Sequence, residues 1–123
     1  MADPSEHRHP GRPLTAREAE QLAETVRAFS SASRLKLLWA LMAGPQTVEQ
    51  LARLAGMTPS ATSHQLRLLR QLHLVEVRRE GRHAHYTLHD HHLPDLLSAL
   101  RHHHEHLTVG ELRAEAGADV VTA

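Results

Sequence analysis

The sequence predicts a mainly α-helical fold with a β-hairpin wing, a winged helix-turn-helix, assembled as a homodimer. Three observations carry this expectation. Two short amphipathic segments are separated by a turn at Gly56-Met57-Thr58, the length and composition of a helix-turn-helix. Behind them, Leu74 to Arg78 and His83 to Leu88 alternate apolar and polar residues on either side of Glu80-Gly81-Arg82, the pattern of a hairpin with a basic tip. The last helix then carries Asp90, His92, His103 and His106 at a spacing that a single chain cannot bring onto one ion but a two-fold pair can.

Each element has its own signals. Residues 1–13 combine Pro4, Pro10, Pro13 and Gly11 with no apolar period, and read as a disordered N-terminal arm. Thr15 with Glu18 forms a capping box for a helix running to about Phe29, with Ala19, Leu22, Ala23, Val26 and Phe29 on one face. Ser30, Ser31 and Ser33 break the chain and re-cap it. A central helix, Arg34 to Ala43, is apolar on most sides and ends at Gly44-Pro45. Thr47 with Gln50 opens the first helix of the motif, which stops at Gly56. Pro59 suits the first turn of the second, which runs to about Leu72 with Thr62, Leu66, Leu69 and Leu72 inward. After the hairpin, a helix from about His92 to Leu107 tolerates Pro94 in its first turn and draws its apolar surface from Leu93, Leu96, Leu97 and Leu100. Residues 14–108 thus form the DNA-binding and dimerisation domain, and 109–123 read as a flexible tail.

Composition narrows the function. Lys+Arg and Asp+Glu both total 14, so bulk charge names no partner. Locally, Arg53, Arg67, Arg70, Arg78, Arg79 and Arg82 are opposed only by Glu76 and Glu80, a basic middle suited to nucleic acid. Cysteine is absent, which excludes disulfides and thiolate metal sites. No signal peptide or bilayer-length apolar run is visible, so the expected location is cytoplasmic, with no membrane partner. Aromatic residues make up 2% of the chain, too few for a base-stacking platform for single strands. Double-stranded DNA fits better. The second helix of the motif would enter the major groove with Ser60, Ser63, His64 and Arg67, and Gln65 at the edge of that face. Arg78, Arg79 and Arg82 on the wing would reach phosphates or the flanking minor groove.

Thirteen histidines are the compositional anomaly. A tract such as His102-His103-His104-Glu105-His106 can be incidental. The Asp90, His92, His103, His106 set instead satisfies one geometric condition together. His92 and His103 lie about 16 Å apart along a helix at 1.5 Å per residue, whereas a metal–nitrogen bond is about 2 Å. Eleven residues at roughly 100° each nevertheless return to within about 20° of the same face. Two such helices packed antiparallel would join Asp90 and His92 of one chain to the second chain's counterparts of His103 and His106, twice per dimer. Three imidazoles and a carboxylate suit tetrahedral Zn²⁺, and with extra donors octahedral Ni²⁺ or Co²⁺. Four protein ligands would close a tetrahedral site, and no nucleophile or base constellation accompanies it, so neither an enzyme nor a small-molecule substrate is expected. The alternative is a DNA-binding regulator of the same fold whose histidines are incidental.

Several motifs together resemble the ArsR/SmtB family of metal-sensing repressors. They are Ser33-Arg34-Leu35, the run Ser60-x-x-Ser63-His64-Gln65-Leu66-x-x-Leu69, Gly81-Arg82, Tyr86-x-Leu88 and the four-ligand pattern. The resemblance covers about residues 15–108. It implies a repressor dimer on an inverted-repeat operator, with Asp90, His92, His103 and His106 binding metal across the interface and metal weakening DNA affinity. The family's Cys-containing motif on the first helix of the helix-turn-helix is absent from Thr47 to Ala55, which excludes thiolate sensing of arsenic, cadmium or lead. Nickel and cobalt sensors of this family add donors from the chain termini, and here His7 and His9 are the available ones.

Overall fold

The computed structural model describes residues 11–122, with side chains described through Leu107. Helix α1 spans Ala16–Arg27 and is followed by a short 3-10 turn, Ala28–Ser30. Helix α2 spans Ala32–Leu41, α3 Val48–Ala55 and α4 Pro59–Gln71. Strands β1 (Val75–Glu80) and β2 (His83–Leu88) form an antiparallel hairpin, and α5 runs from His92 to Thr122.

The predicted elements are all present, and the caps explain most boundaries. Thr15 and Glu18 make the expected reciprocal box, as do Thr47 and Gln50. Ser31 rather than Ser33 caps α2, its hydroxyl accepting from the Arg34 N–H, so that helix starts two residues before the predicted Arg34. Helices α3 and α4 close in the same way. Gly56 (φ +66) lets Met57 N–H reach the Ala52 carbonyl at 2.9 Å, and His73 (φ +58) lets Leu74 N–H reach the Leu69 carbonyl at 2.9 Å. Both are Schellman closures, but His73 holds the left-handed conformation with a Cβ, which costs about 1–2 kcal/mol. The hairpin is tighter than expected. Glu80 pairs with His83, leaving only Gly81 and Arg82 to turn the chain.

The core gathers Leu37, Leu38 and Leu41 of α2 with Leu51 and Ala55 of α3, Leu66 and Leu69 of α4, Val75, and Leu93 and Leu97 of α5. Two predicted features differ. First, the apolar face of α1 lies open: Leu22 and Val26 are 51% and 55% exposed, because none of the described elements covers them. Second, α5 does not stop near Leu107: the backbone stays helical to Thr122. A helical Gly110 costs about 1 kcal/mol, and the following Glu111-Leu112-Arg113-Ala114-Glu115-Ala116 are strong helix formers that offset it. Of the predicted arm, residues 11–13 have no regular structure, yet Arg12 makes a bidentate pair with Glu18 at 2.7 and 2.9 Å. His7 and His9 lie outside the described residues.

Candidate metal centre and nucleic-acid interface

Helix α4 is built from behind. Thr58 caps its first turn, accepting from Ala61 N–H at 3.1 Å. Thr62, fully buried, donates its hydroxyl to the Thr58 carbonyl at 2.9 Å, so a polar residue on the inner face is satisfied locally. Leu66 and Leu69 lock the rest of that face into the core. Ser60, His64 and Arg67 are left exposed on the opposite side, with Ser63 half-buried between them. Gln65 is also half-buried, and its Oε1 accepts from the Arg34 guanidinium at 3.2 Å. Four of the five residues predicted for the reading face therefore point away from the core, and the fifth is engaged within the protein.

The wing is set by the chain that precedes α3. Gln46 pairs with Tyr86 in both directions, at 3.1 and 2.8 Å, and fixes β2 to the end of the α2–α3 loop. Arg78, Arg79 and Arg82 are exposed. Arg78 and Arg79 alternate across the hairpin, so Arg78 shares its face with Glu76 and Glu80 while Arg79 does not. His85 lies opposite Arg78, and its Nδ1 is buried with no hydrogen-bond partner among the described residues.

The four candidate ligands are exposed in two places, Asp90 and His92 at the start of α5 and His103 and His106 further along it. Asp90 does more than its sequence pattern indicated. Its Oδ1 accepts from the N–H groups of His92 (2.9 Å) and Leu93 (3.2 Å), satisfying the start of the helix. Partial burial pushes the Asp90 carboxyl up. The hydrogen bonds from His92 and Leu93, with the charges of His92 and His89, outweigh this and hold it below its usual range. His92 Nδ1 stands 3.7 Å from the same oxygen. One helical stretch further on, His103 and His106 lie a turn apart, with the His106 ring 4.2 Å from that of His102. Between the two groups, Arg101 stacks over Trp39 at 4.7 Å and holds α5 against α2. Among the described residues, no three His, Cys, Asp or Glu side chains of one protomer could hold a metal ion.

The exposed leucines of α5 follow the ligands. The sequence treated Leu93, Leu96, Leu97 and Leu100 as one apolar surface, but the structure divides them. Leu93 and Leu97 are buried, whereas Leu96 and Leu100 are 44% and 45% exposed and Leu107 is 52% exposed. At 100° per residue the exposed leucines border the face that carries His92, His103 and His106. The residues that sequence reasoning passed over here are Arg34, whose three hydrogen bonds no periodicity could reveal, and Asp90 in its capping role. For Asp90 a signal existed: it stands just ahead of an apolar period, the position of a helix cap.

Comparisons with known proteins bear on the fold and the family. The model described as bacterial regulatory protein, arsR family, matches residues 31–77. The HTH-type transcriptional regulator NmtR of Mycobacterium tuberculosis is 46% identical over 101 residues, covering 82% of this chain and 84% of that protein. The solution structure of apo-NmtR aligns with a TM-score of 0.66 at 45% identity, over 80% of this chain and 82% of that one. A transcriptional repressor SmtB homolog from Synechocystis is 41% identical over 86 residues, 70% of this chain and 65% of that protein. The homodimeric winged helix-turn-helix DNA-binding domain of Mb0332 from Mycobacterium bovis aligns with a TM-score of 0.68 at 31% identity, covering 76% of this chain and 91% of that one.

Proposed function

This chain belongs to the ArsR family of bacterial regulatory proteins, and from that premise we propose a metal-responsive transcriptional repressor. It holds an inverted-repeat operator as a metal-free homodimer and releases it when metal binds between the subunits. The observation that carries this reading is the coincidence on α5 of two incomplete things. Asp90, His92, His103 and His106 cannot meet within one protomer, and the leucines bordering them are left uncovered. Antiparallel packing of two α5 helices across a two-fold axis would complete both at once. The open face of α1 with Leu22 and Val26 adds apolar area to the same interface. Residues 14–108 form the working unit, with the arm that carries His7 and His9 ahead of it.

The division of labour follows from placement. Ser60, Ser63, His64 and Arg67 on α4 meet the major groove, and Arg78, Arg79 and Arg82 meet the backbone beside it. Asp90 and His92 offer donors at one end of α5, His103 and His106 at the other. When bound, the ion supplies a tie between opposite ends of the paired helices. Holding α5 in one pose sets the separation of the two α4 helices, which must match about one turn of DNA, 34–36 Å. A change of pose then lowers affinity without touching a reading residue, and DNA must weaken metal binding by the same factor. Among the described residues no helix is long and apolar enough to cross a membrane, and the proposed site of action is the cytoplasm.

Zn²⁺ is the proposed ion, because three imidazoles and one carboxylate complete a tetrahedron. Ni²⁺ or Co²⁺ is the second reading, favoured by the extra nitrogens of His7 and His9. A Co²⁺ titration of the metal-free dimer, followed by visible absorption, separates them. Intense d–d bands at one ion per chain mean four-coordination and zinc, and weak bands mean six-coordination and nickel or cobalt. A selected duplex that stays bound at saturating Zn²⁺, Ni²⁺ and Co²⁺ would leave a regulator of this fold without metal sensing.

A further inference from the structure

We infer that Gln65 is a positioning residue which, through Arg34, clamps the recognition helix α4 to the end of α1, and that it does not read bases. The inference rests on the proposal that α4 is the DNA-reading helix. Its basis is the use Arg34 makes of its guanidinium. Nε donates to the Ala28 carbonyl at 2.9 Å, one terminal nitrogen to the Arg27 carbonyl at 3.3 Å, and the other to Gln65 Oε1 at 3.2 Å. The first two acceptors are carbonyls at the C-terminal end of α1, groups without an intrahelical partner, and the Arg27 carbonyl also accepts from the Ser30 hydroxyl at 2.6 Å. The third belongs to α4, 31 residues further along the chain.

The geometry of the donor matters. A guanidinium is planar and presents its N–H groups in fixed directions, so acceptors on its different edges are held at a set distance and angle from one another. Lysine could not do this with a single point of charge. Arg34 and Gln65 are both half-buried, where hydrogen bonds to a charged group contribute more than on an open surface. Among the described residues, Arg34 makes no salt bridge with a carboxylate, so these oxygens are its partners. With Oε1 turned to Arg34, the Gln65 amide is oriented from within the protein, and the bidentate contact that glutamine makes to adenine would have to share or break that bond.

The clamp also joins two functional surfaces. Leu22 and Val26 place α1 in the proposed dimer interface, and α4 carries the reading face. A rigid link between them passes the pose of the dimer to the reading head. His64 and Arg67 neighbour the link but do not belong to it.

The test is a double-mutant cycle on the full-length metal-free dimer. Its probe is a duplex selected from a random-sequence library by the wild-type protein. Gln65→Ala is expected to weaken binding roughly tenfold, the size of one lost hydrogen bond to a charged group, and Arg34→Ala, which removes all three bonds, at least as much. The double variant is expected to bind no worse than the weaker single. A repeat selection with Gln65→Ala is expected to return the wild-type base preference at every position. Independent, multiplying losses, or a preference relaxed at one base pair of each half-site, would overturn the clamp while leaving DNA binding by α4 standing. A wild-type protein that selects no duplex would overturn the DNA-binding reading and the clamp with it. Should thermal melting show Arg34→Ala to be unfolded, Arg34→Lys replaces it in the cycle, because it keeps the charge and loses the fork.

Discussion

Helices α4 and α5 both present exposed polar side chains, but they differ in what stands behind and beside those side chains. Behind the reading face of α4 lie Leu66, Leu69 and Thr62, all fully buried, with a capped first turn and a Schellman closure at the far end. Everything that aims Ser60, His64 and Arg67 is contained in one protomer. Beside the ligand face of α5 lie Leu96, Leu100 and Leu107, open to solvent, and its donors are split between two places about 16 Å apart. A reading head has to be rigid before it meets DNA. A switch has to be incomplete until something joins its parts, and in the proposed site the parts lie on different chains.

That contrast predicts what will break each region. The largest effect should come from the joint between chains. Leu96→Glu with Leu100→Glu buries charge in the proposed interface, so sedimentation should show monomers. Operator affinity should fall by roughly a hundredfold or more while helix content by circular dichroism stays near wild type. Monomers that still bind the operator tightly would show that α5 is not the joint.

Next comes the ligand face itself. His103→Ala should leave metal-free operator affinity within about threefold of wild type and abolish release by metal, a coupling normally worth about 1–3 kcal/mol. Asp90→Ala should do the same and also cost about 1 kcal/mol of stability, because it removes the cap on α5. Asp90→Asn sharpens the point. It keeps an acceptor for the helix but loses the charge, so stability should return in denaturant melts while metal sensing stays impaired.

On the reading side, Arg67→Ala should weaken operator binding several-fold and reduce the slope of log affinity against log salt by about 1 if the residue meets a phosphate. Metal affinity of the free protein should not change, and a metal defect of similar size would erase the division between the two helices. A smaller gain is expected at the closure of α4. His73→Gly relieves a left-handed residue and should raise stability by about 1 kcal/mol in urea melts, with no change if the backbone relaxes instead.

The smallest effect is at low pH. Arg12, and then the Thr15 backbone and side chain, hold the Glu18 carboxyl at about 2, down from 4.5. A depressed carboxyl stabilises the fold above its unfolded pKa and loses that contribution as pH falls through the folded one. The α1 cap should therefore loosen between about 4.5 and 2, seen as fraying of Ala16 to Ala19 in amide exchange. Because the pair is exposed, Arg12→Ala should have little effect at neutral pH.

The sequence by itself determined the elements and the chemistry they could carry. Capping boxes at Thr15 and Thr47, Pro59 in a first turn, Gly56 at a helix end and the alternation around Gly81 act over a few residues, so they are readable without knowing where the chain goes. The ligand spacing on α5 was readable too, because helical geometry converts residue numbers into angles and distances. Only the tertiary structure decided which apolar faces were used. Periodicity marks Leu22 and Val26, and likewise Leu96 and Leu100, as one side of a helix, but burial depends on whether another surface arrives to cover them, and among the described residues none does. The same holds for Gln65. Its helix angle put it at the edge of the reading face, and the arrival of Arg34 from 31 residues away turned its amide oxygen inward. Long-range contacts of that kind are set by packing, and local sequence holds no record of them.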